Sequence, residues 1–260
     1  MNIAIIGCGV MGAAFARHFA KKEQLLLCDR QIETAESLAK ELGAKACKSA
    51  KEAAQQADLI FLAMKPADLS AVVKELNAVL TKNHLVVSIL AGTTLETLKK
   101  GFPHTPILRM IPNLAITCEV GVLGLVEDSL INPALRKKIE KLFSGLGLIV
   151  WLPESKIDAL TALAGSGPAF IFVLVEAMID SGVLLGFSHQ EAREFALKTI
   201  QGSIELLQKT GKTPSELKWQ VASPKGTTIA GIKALEKAGF RNAIMSAFSA
   251  AYERAKEMHK

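Results

Sequence analysis

Apolar residues in the first half of the chain come in short unbroken runs, not in polar–apolar alternation. Residues 2–6, 25–28, 59–64, 85–90 and 107–111 each form such a run, and they stop at Gly7, Asp29, Lys65-Pro66, Ala91-Gly92 and Pro112-Asn113. Continuous apolar runs of this length predict strands buried on both faces, the mark of a parallel sheet. Between them lie helical patterns. Residues 9–22 read as a helix of small residues, and residues 33–42 as an amphipathic helix closed by Gly43. Thr93-Thr94-Leu95-Glu96 offers a capping box for another. Strand, helix, strand at this rhythm predicts parallel βαβ units with right-handed crossovers.

After a last strand at 148–152 and the break at Pro153, strand signals nearly vanish. Helical patterns cover 156–164, 168–182, 189–210, 214–221 and 228–260, with an interruption at Gly239. The expected architecture is α/β, a Rossmann-type dinucleotide-binding domain over residues 1–153 followed by an all-α domain over 154–260. Residues 159–179 are apolar enough to resemble a membrane span. The break at Gly165-Ser166-Gly167-Pro168 and the charges of Glu176 and Asp180 favour a buried core helix instead. The helical half is apolar on more than one face, above all over 170–185, which points to burial against a second copy.

Composition adds little to this but excludes several classes. The chain has 260 residues, half of them hydrophobic and 22% charged, a globular balance. Its net charge is +6, with basic residues dispersed and a single Tyr, so a base-stacking nucleic-acid surface is poorly supplied. The apolar start, residues 1–11, lacks the basic flank of a secretory signal. Cys8, Cys28, Cys47 and Cys118 form no CxxC pair, and the histidines are scattered. We expect reduced thiols, a cytoplasmic protein and no metal site.

Gly7-Cys8-Gly9-Val10-Met11-Gly12 follows the first strand and opens the first helix, the context in which GxGxxG binds a dinucleotide. Gly7 permits the tight turn, Gly9 leaves room for a pyrophosphate, and Gly12 lets helix and strand approach closely. The second strand ends in Asp29-Arg30. A carboxylate there suits the ribose hydroxyl of NAD and an arginine suits the 2′-phosphate of NADP, so both cofactors stay open. Ala63-Met64-Lys65-Pro66 and Ala91-Gly92 fall at the C-terminal ends of strands, where open α/β sheets bind ligands. Asn113 follows another strand end and is placed to meet a nicotinamide amide. Ser223-Pro224-Lys225-Gly226-Thr227-Thr228 precedes a helix and reads either as a carboxylate trap or as a plain helix cap.

These motifs together resemble the pyrroline-5-carboxylate reductase family. The likeness rests on Pro214, Leu217, Val221, the Ser223–Thr228 cluster, Gly231-Ile232 and Leu235-Glu236, with Met64-Lys65-Pro66, Pro112-Asn113 and the Asp158-to-Ala169 segment. It runs from about residue 2 to residue 258. The resemblance implies reduction of 1-pyrroline-5-carboxylate to L-proline, the last step of proline biosynthesis. It implies NADPH as hydride donor with NADH as the alternative, and a homodimer unit assembled into a decamer. It places the substrate carboxylate on Ser223, Gly226, Thr227 and Thr228, with the Thr228 hydroxyl acting at the ring nitrogen. The substrate site must then meet the nicotinamide, by fold-back of one chain or by contribution from a partner. Lys225 departs from the family's Gly-Gly pair, Ala164 from a serine and Phe170 from a tyrosine. A related hydroxy-acid dehydrogenase needs a catalytic lysine on the first long helix of the second half, where Gly165-Ser166-Gly167-Pro168 stands instead. A non-catalytic nucleotide-binding protein is the third reading.

Overall fold

The computed structural model describes residues 1–126 and 130–258. The chain opens with β1 (Asn2–Ile6), α1 (Val10–Phe19), β2 (Gln24–Cys28), α2 (Ile32–Leu42), β3 (Lys45–Ala46) and α3 (Ala50–Ala54). It continues with β4 (Leu59–Leu62), α4 (Leu69–Leu76), β5 (Leu85–Ser88), α5 (Leu95–Gly101) and β6 (Ile107–Pro112). Then come β7 (Gly121–Val126), α6 (Pro133–Phe143) and β8 (Gly147–Leu152). The strands form one sheet in the order β3-β2-β1-β4-β5-β6-β7-β8. The order reverses between β1 and β4, which opens a crevice at their C-terminal ends.

The strand cores are buried on both sides, as their unbroken apolar runs require. One face is covered by α1, α2 and α6, where Phe15, Phe19, Phe61 and Phe143 pack together, Phe15 and Phe61 with ring centroids 4.5 Å apart. The other face is covered by α3, α4 and α5. Each such buried ring contributes on the order of 1.5–3 kcal/mol.

Two expectations need correction here. β7 runs antiparallel to β6, with Met110 opposite Leu125. The link over 113–120 is too short for a parallel crossover, which needs a dozen residues or more. The cap of α5 is Thr94, not Thr93: its hydroxyl accepts from the Thr97 N–H at 3.1 Å. Glu96 therefore sits one position short of a capping-box role and pairs with Lys100 at 2.7 Å.

Beyond β8 the chain forms α7 (Ile157–Leu160), a π-helical turn at Thr161–Gly165, then α8 (Gly167–Leu184), α9 (His189–Thr210), α10 (Pro214–Val221), α11 (Thr227–Lys237) and α12 (Phe240–Glu257). The last two expected helical positions, 259 and 260, lie outside the described residues. Packing divides the chain into two units, residues 1–165 with 251–260, and residues 166–250. Pro153 marks where strands end, yet residues 154–165 pack with the sheet. Ile157 is fully buried, Leu160 lies over Gly124, and the Ala164 carbonyl accepts from Asn113 Nδ2 at 3.0 Å.

In the second unit α8 packs on α9, where Gly182 leaves room for Ala192. The segment Glu154–Leu184 is long and apolar enough to cross a membrane by length and composition. Contrary to the expectation of a core helix, α8 is not buried within the chain: Phe172 is 61% exposed and Leu184 88%. The helices that adjoin it in one copy are too few to cover an apolar surface on every side.

Candidate active site

The glycine turn after β1 shows three different uses of the same residue. Gly7 has φ 102°, and a Cβ there would lie 2.5 Å from the Met64 nitrogen. A Cβ on Gly12 would collide with the Gly7 carbonyl oxygen. A Cβ on Gly9 would meet no protein atom within 4 Å. Gly7 and Gly12 thus serve the protein's own packing, and Gly9 leaves open space beside the turn. Helix α1 begins at Gly9 with no side-chain cap and no acidic residue in its first turn. Its first intrahelical bond runs from Ala13 N–H to the Gly9 carbonyl, 2.8 Å. The preceding N–H groups are therefore available to an anion.

Beside this turn lies a cleft of about 460 Å³. Of the expected residues it gathers Gly7, Gly9, Asp29, Arg30, Ala63, Met64 and Lys65. It also brings in Lys48, Ser49 and Ala50 after β3, and Ala71, Val72 and Glu75 on α4. The latter set carries no motif. β3 has only two residues, so periodicity had nothing to register.

Several expected contributors take other roles. The Cys8 N–H donates to Asp29 Oδ2 at 2.7 Å, and its side chain is buried, so Cys8 holds the turn together rather than facing the cleft. Burial pushes the thiols of Cys8 and Cys28 up to about 12, with the Asp29 carboxylate adding to the effect at Cys8 and Glu75 at Cys28. Both stay neutral near neutral pH and add no negative charge beside a bound phosphate. Asp29 also accepts from the Gln31 N–H at 3.0 Å, so each of its oxygens already holds a main-chain donor. Arg30 is 76% exposed and lies 3.5 Å from Asp68.

Val10 and Met11 open α1, and Pro66 opens a single 3-10 turn, Pro66–Asp68, ahead of α4, but none of the three lines the cleft. Ala91 and Gly92 do not line it either, and Gly92 is packed from above: a Cβ there would lie 2.8 Å from the Met258 carbonyl oxygen. The Asn113 amide is nearly buried and engaged at both ends. Its Oδ1 accepts from the Val122 N–H at 3.0 Å and its Nδ2 donates to Ala164. Its observed work is to tie β6 to β7 and to the π turn.

The second cluster lies in the helical unit. The Gly226 N–H donates to the Ser223 carbonyl at 3.1 Å, closing a turn with Pro224 and Lys225 at its centre. Gly226 is therefore not a free donor, which corrects one element of the expected trap. Gly226 caps α11 by its backbone alone, with no side-chain cap and no acidic residue in the first turn. The N–H groups of Thr227 and Thr228 remain for an anion. By contrast α9 and α10 carry complete capping boxes, Ser188 with Glu191 and Thr213 with Glu216. Helices α4 and α8 also begin without a side-chain cap or an acidic first turn, and what α1 and α11 share is a glycine at the cap.

Lys225 sits at φ 59°, the position of a type II turn that favours glycine. A side chain there costs about 1–2 kcal/mol, while glycine loosens the unfolded chain by about 0.4–1 kcal/mol. Lys225→Gly should therefore raise stability by about 1 kcal/mol or less, a Tm gain of roughly 1–4 °C by calorimetry. A Tm at or below the parent value would show that the lysine is held without strain.

Residues 154–258 match the family model described as pyrroline-5-carboxylate reductase dimerisation, and residues 2–92 match that of coenzyme F420-dependent NADP oxidoreductases. The chain is 38% identical to the pyrroline-5-carboxylate reductase of Synechocystis, over 100% of its own length and 99% of the relative's. The chain belongs to the pyrroline-5-carboxylate reductase family. The Coxiella burnetii reductase structure covers 100% of the chain, with 98% of its own length matched, at TM-score 0.89 and 29% identity. The Plasmodium falciparum enzyme, solved with NADP bound, covers 100% of both chains at TM-score 0.89 and 28% identity. Mycobacterium tuberculosis 3-hydroxyisobutyrate dehydrogenase covers 98% of the chain and 92% of its own at TM-score 0.55 but is only 15% identical, a likeness of fold alone. The hydroxy-acid reading thus has no support beyond architecture.

Proposed function

We propose that this chain reduces 1-pyrroline-5-carboxylate to L-proline with hydride from NADPH, the last step of proline biosynthesis. One observation carries the reading: α1 and α11 both begin uncapped at a glycine, without an acidic first turn, while α9 and α10 are fully capped. The reaction needs two anion holders, one for a pyrophosphate and one for a carboxylate. Gly9 and the first N–H groups of α1 fit the pyrophosphate, because the space a Cβ would fill at Gly9 is empty. Bound there, NADPH supplies the hydride. The Thr227 and Thr228 N–H groups hold the substrate carboxylate, and the Ser223 hydroxyl, beside Gly226, adds a donor.

The substrate imine accepts hydride at carbon once its nitrogen is protonated. Such a substrate asks the protein mainly for orientation, which lowers a barrier by up to about 7–11 kcal/mol in ideal cases. The Thr228 hydroxyl places or delivers the proton at the ring nitrogen. Thr228→Ala should lower kcat/KM by about tenfold or more, the loss of one hydrogen bond to a charged group, and Thr228→Ser should recover most of it. The assay is NADPH consumption with pyrroline-5-carboxylate, and unchanged kinetics in the alanine variant would remove Thr228 from the mechanism.

The exposed apolar surface of α8 supports a homodimer formed through the helical unit, with dimers assembled into a decamer. Sedimentation velocity showing a monomer at micromolar concentration would overturn this. Four cysteines without disulfides support a cytoplasmic setting; Cys–Cys bridges in protein isolated under non-reducing conditions would count against it.

A further inference from the structure

We propose that the buried Arg109–Glu154 pair is a positioning device for hydride transfer: it fixes the loop between β5 and α5, residues 89–94, on the nicotinamide side of the cofactor crevice. The inference rests on the reductase reading above and deepens it. Four observations carry it.

The first is where polar side chains are buried. Among the described residues these are Ser88, Thr93, Thr105, Arg109 and Asn113. All of them stand on β5 or β6 or in the turns beside those strands. Burying a polar group is unfavourable unless its bonds are met, so such a concentration in one part of the sheet calls for a reason.

The second is the nature of the buried cation. Arg109 shares a face of β6 with Ile107 and Ile111, the face that α5 covers. Its Nη1 donates to Glu154 Oε1, and its Nε is buried without an acceptor. Apolar side chains of similar volume would fill this space without desolvating a charge, often with no loss of stability. The fold alone therefore gives no reason for the pair.

The third is what the pair holds. The same Glu154 oxygen accepts from the N–H of Leu95, the first residue of α5, at 2.6 Å. One carboxylate oxygen thus joins the interior of β6 to the end of the 89–94 loop. The start of that loop is held by Ser88, the register partner of Arg109, whose Oγ accepts from the Leu90 N–H at 3.3 Å. In its middle, Met258 packs on Gly92. The loop is therefore held at both ends and between them.

The fourth is the loop's place. It leaves the C-terminal end of β5, across the switch point from β2. The cleft beside Gly9 extends to Asp29 and Arg30 on the β2 side. A dinucleotide lying across the crevice puts its other half over the strands beyond the switch, which here are β4 and β5. Hydride transfer is sensitive to placement: a shift of about 1 Å can lower a rate by about a hundredfold.

The test compares two variants of the full-length enzyme. In the double variant Arg109→Met with Glu154→Leu, the buried charge is gone but Leu95 N–H has no acceptor. It should keep a Tm within a few degrees of the parent and a KM for NADPH within about threefold, yet lose about tenfold in kcat. Glu154→Gln keeps an acceptor for Leu95 but removes the negative charge. It should melt several degrees below the parent and keep kcat within about threefold. Stability and turnover thus move in opposite directions in the two proteins, which a merely structural role would not produce. Amide hydrogen exchange on the free proteins gives a readout without turnover: residues 89–95 should exchange about tenfold faster in the double variant and near the parent rate in Glu154→Gln. A kcat that follows Tm across the variants, a double variant that fails to fold or turns over as the parent does, or unchanged exchange in it would each overturn the proposal. The expected exchange pattern in a protein whose parent never reduces the imine would sink the reductase reading and leave the loop anchor standing.

Discussion

Gly12→Ala should destabilise the fold by about 3 kcal/mol or more, while Gly9→Ala should leave it folded and weaken its hold on NADPH. At Gly12 the added methyl meets the Gly7 carbonyl oxygen, a backbone atom that cannot swing aside. Overpacking against rigid neighbours costs about 1–3 kcal/mol in ordinary cores, and a main-chain collision lies at or above the top of that range. For a chain of this size the Tm should fall by roughly 6–12 °C. At Gly9 the backbone is extended, with φ −68°, and the methyl enters empty space. The fold should change by no more than about 1 kcal/mol, the ordinary cost of an alanine cap. The methyl then stands where the pyrophosphate must approach, and NADPH affinity should fall about tenfold or more. Calorimetry and cofactor titration on both variants separate the two roles. Equal thermal losses, or a Gly9→Ala protein that binds NADPH as the parent does, would refute this division of labour among the glycines.

Glu154→Ala should cost about 2–4 kcal/mol in urea unfolding. Arg109 on β6 is only 2% exposed, and its guanidinium pairs with the Glu154 carboxylate. Its Nε is buried without an acceptor, so the charge depends on that one carboxylate. The same Glu154 oxygen accepts from the Leu95 N–H at 2.6 Å, tying the start of α5 to the end of the sheet. Removing one member of a buried pair leaves a charge without compensation, typically at about 3–5 kcal/mol. Glu154 is itself about one-third exposed, so water replaces part of the lost interaction and the lower figure applies. Replacing Arg109 and Glu154 together by Met and Leu should cost much less than the sum of the single changes. Additive losses across that double-mutant cycle would show that the two side chains act independently.

Neither prediction was equally open to sequence reading. The roles of Gly7, Gly9 and Gly12 are local: spacing within one strand–turn–helix assigns each glycine its part, and the structure shows the turn at Gly7, the close approach at Gly12 and open space at Gly9. The bounds of α9 and α10 were legible for the same reason. Pro214 opens one helix and Gly211, in the left-handed region at φ 65°, closes the other. Arg109 gave no such signal. A single arginine inside an apolar run reveals neither its burial nor a partner on the far side of two further strands. β7 and α6 also escaped notice. Gly121–Val126 is interrupted by glycines, and the antiparallel turn into it breaks the βαβ rhythm used to find its neighbours.

The sequence by itself determined the class of fold, the glycine turn and the bounds of α9 and α10, because each depends on residues within a few positions of one another. Only the tertiary structure decided which polar groups remain free. Asp29 is engaged by Cys8 across twenty-one positions and Asn113 by Ala164 across fifty-one, while Lys48 lines the same cleft as Arg30 from a different loop. A hydrogen-bonding group offers a ligand only the capacity that the rest of the chain has not claimed, and those claims come from segments that local chemistry cannot see.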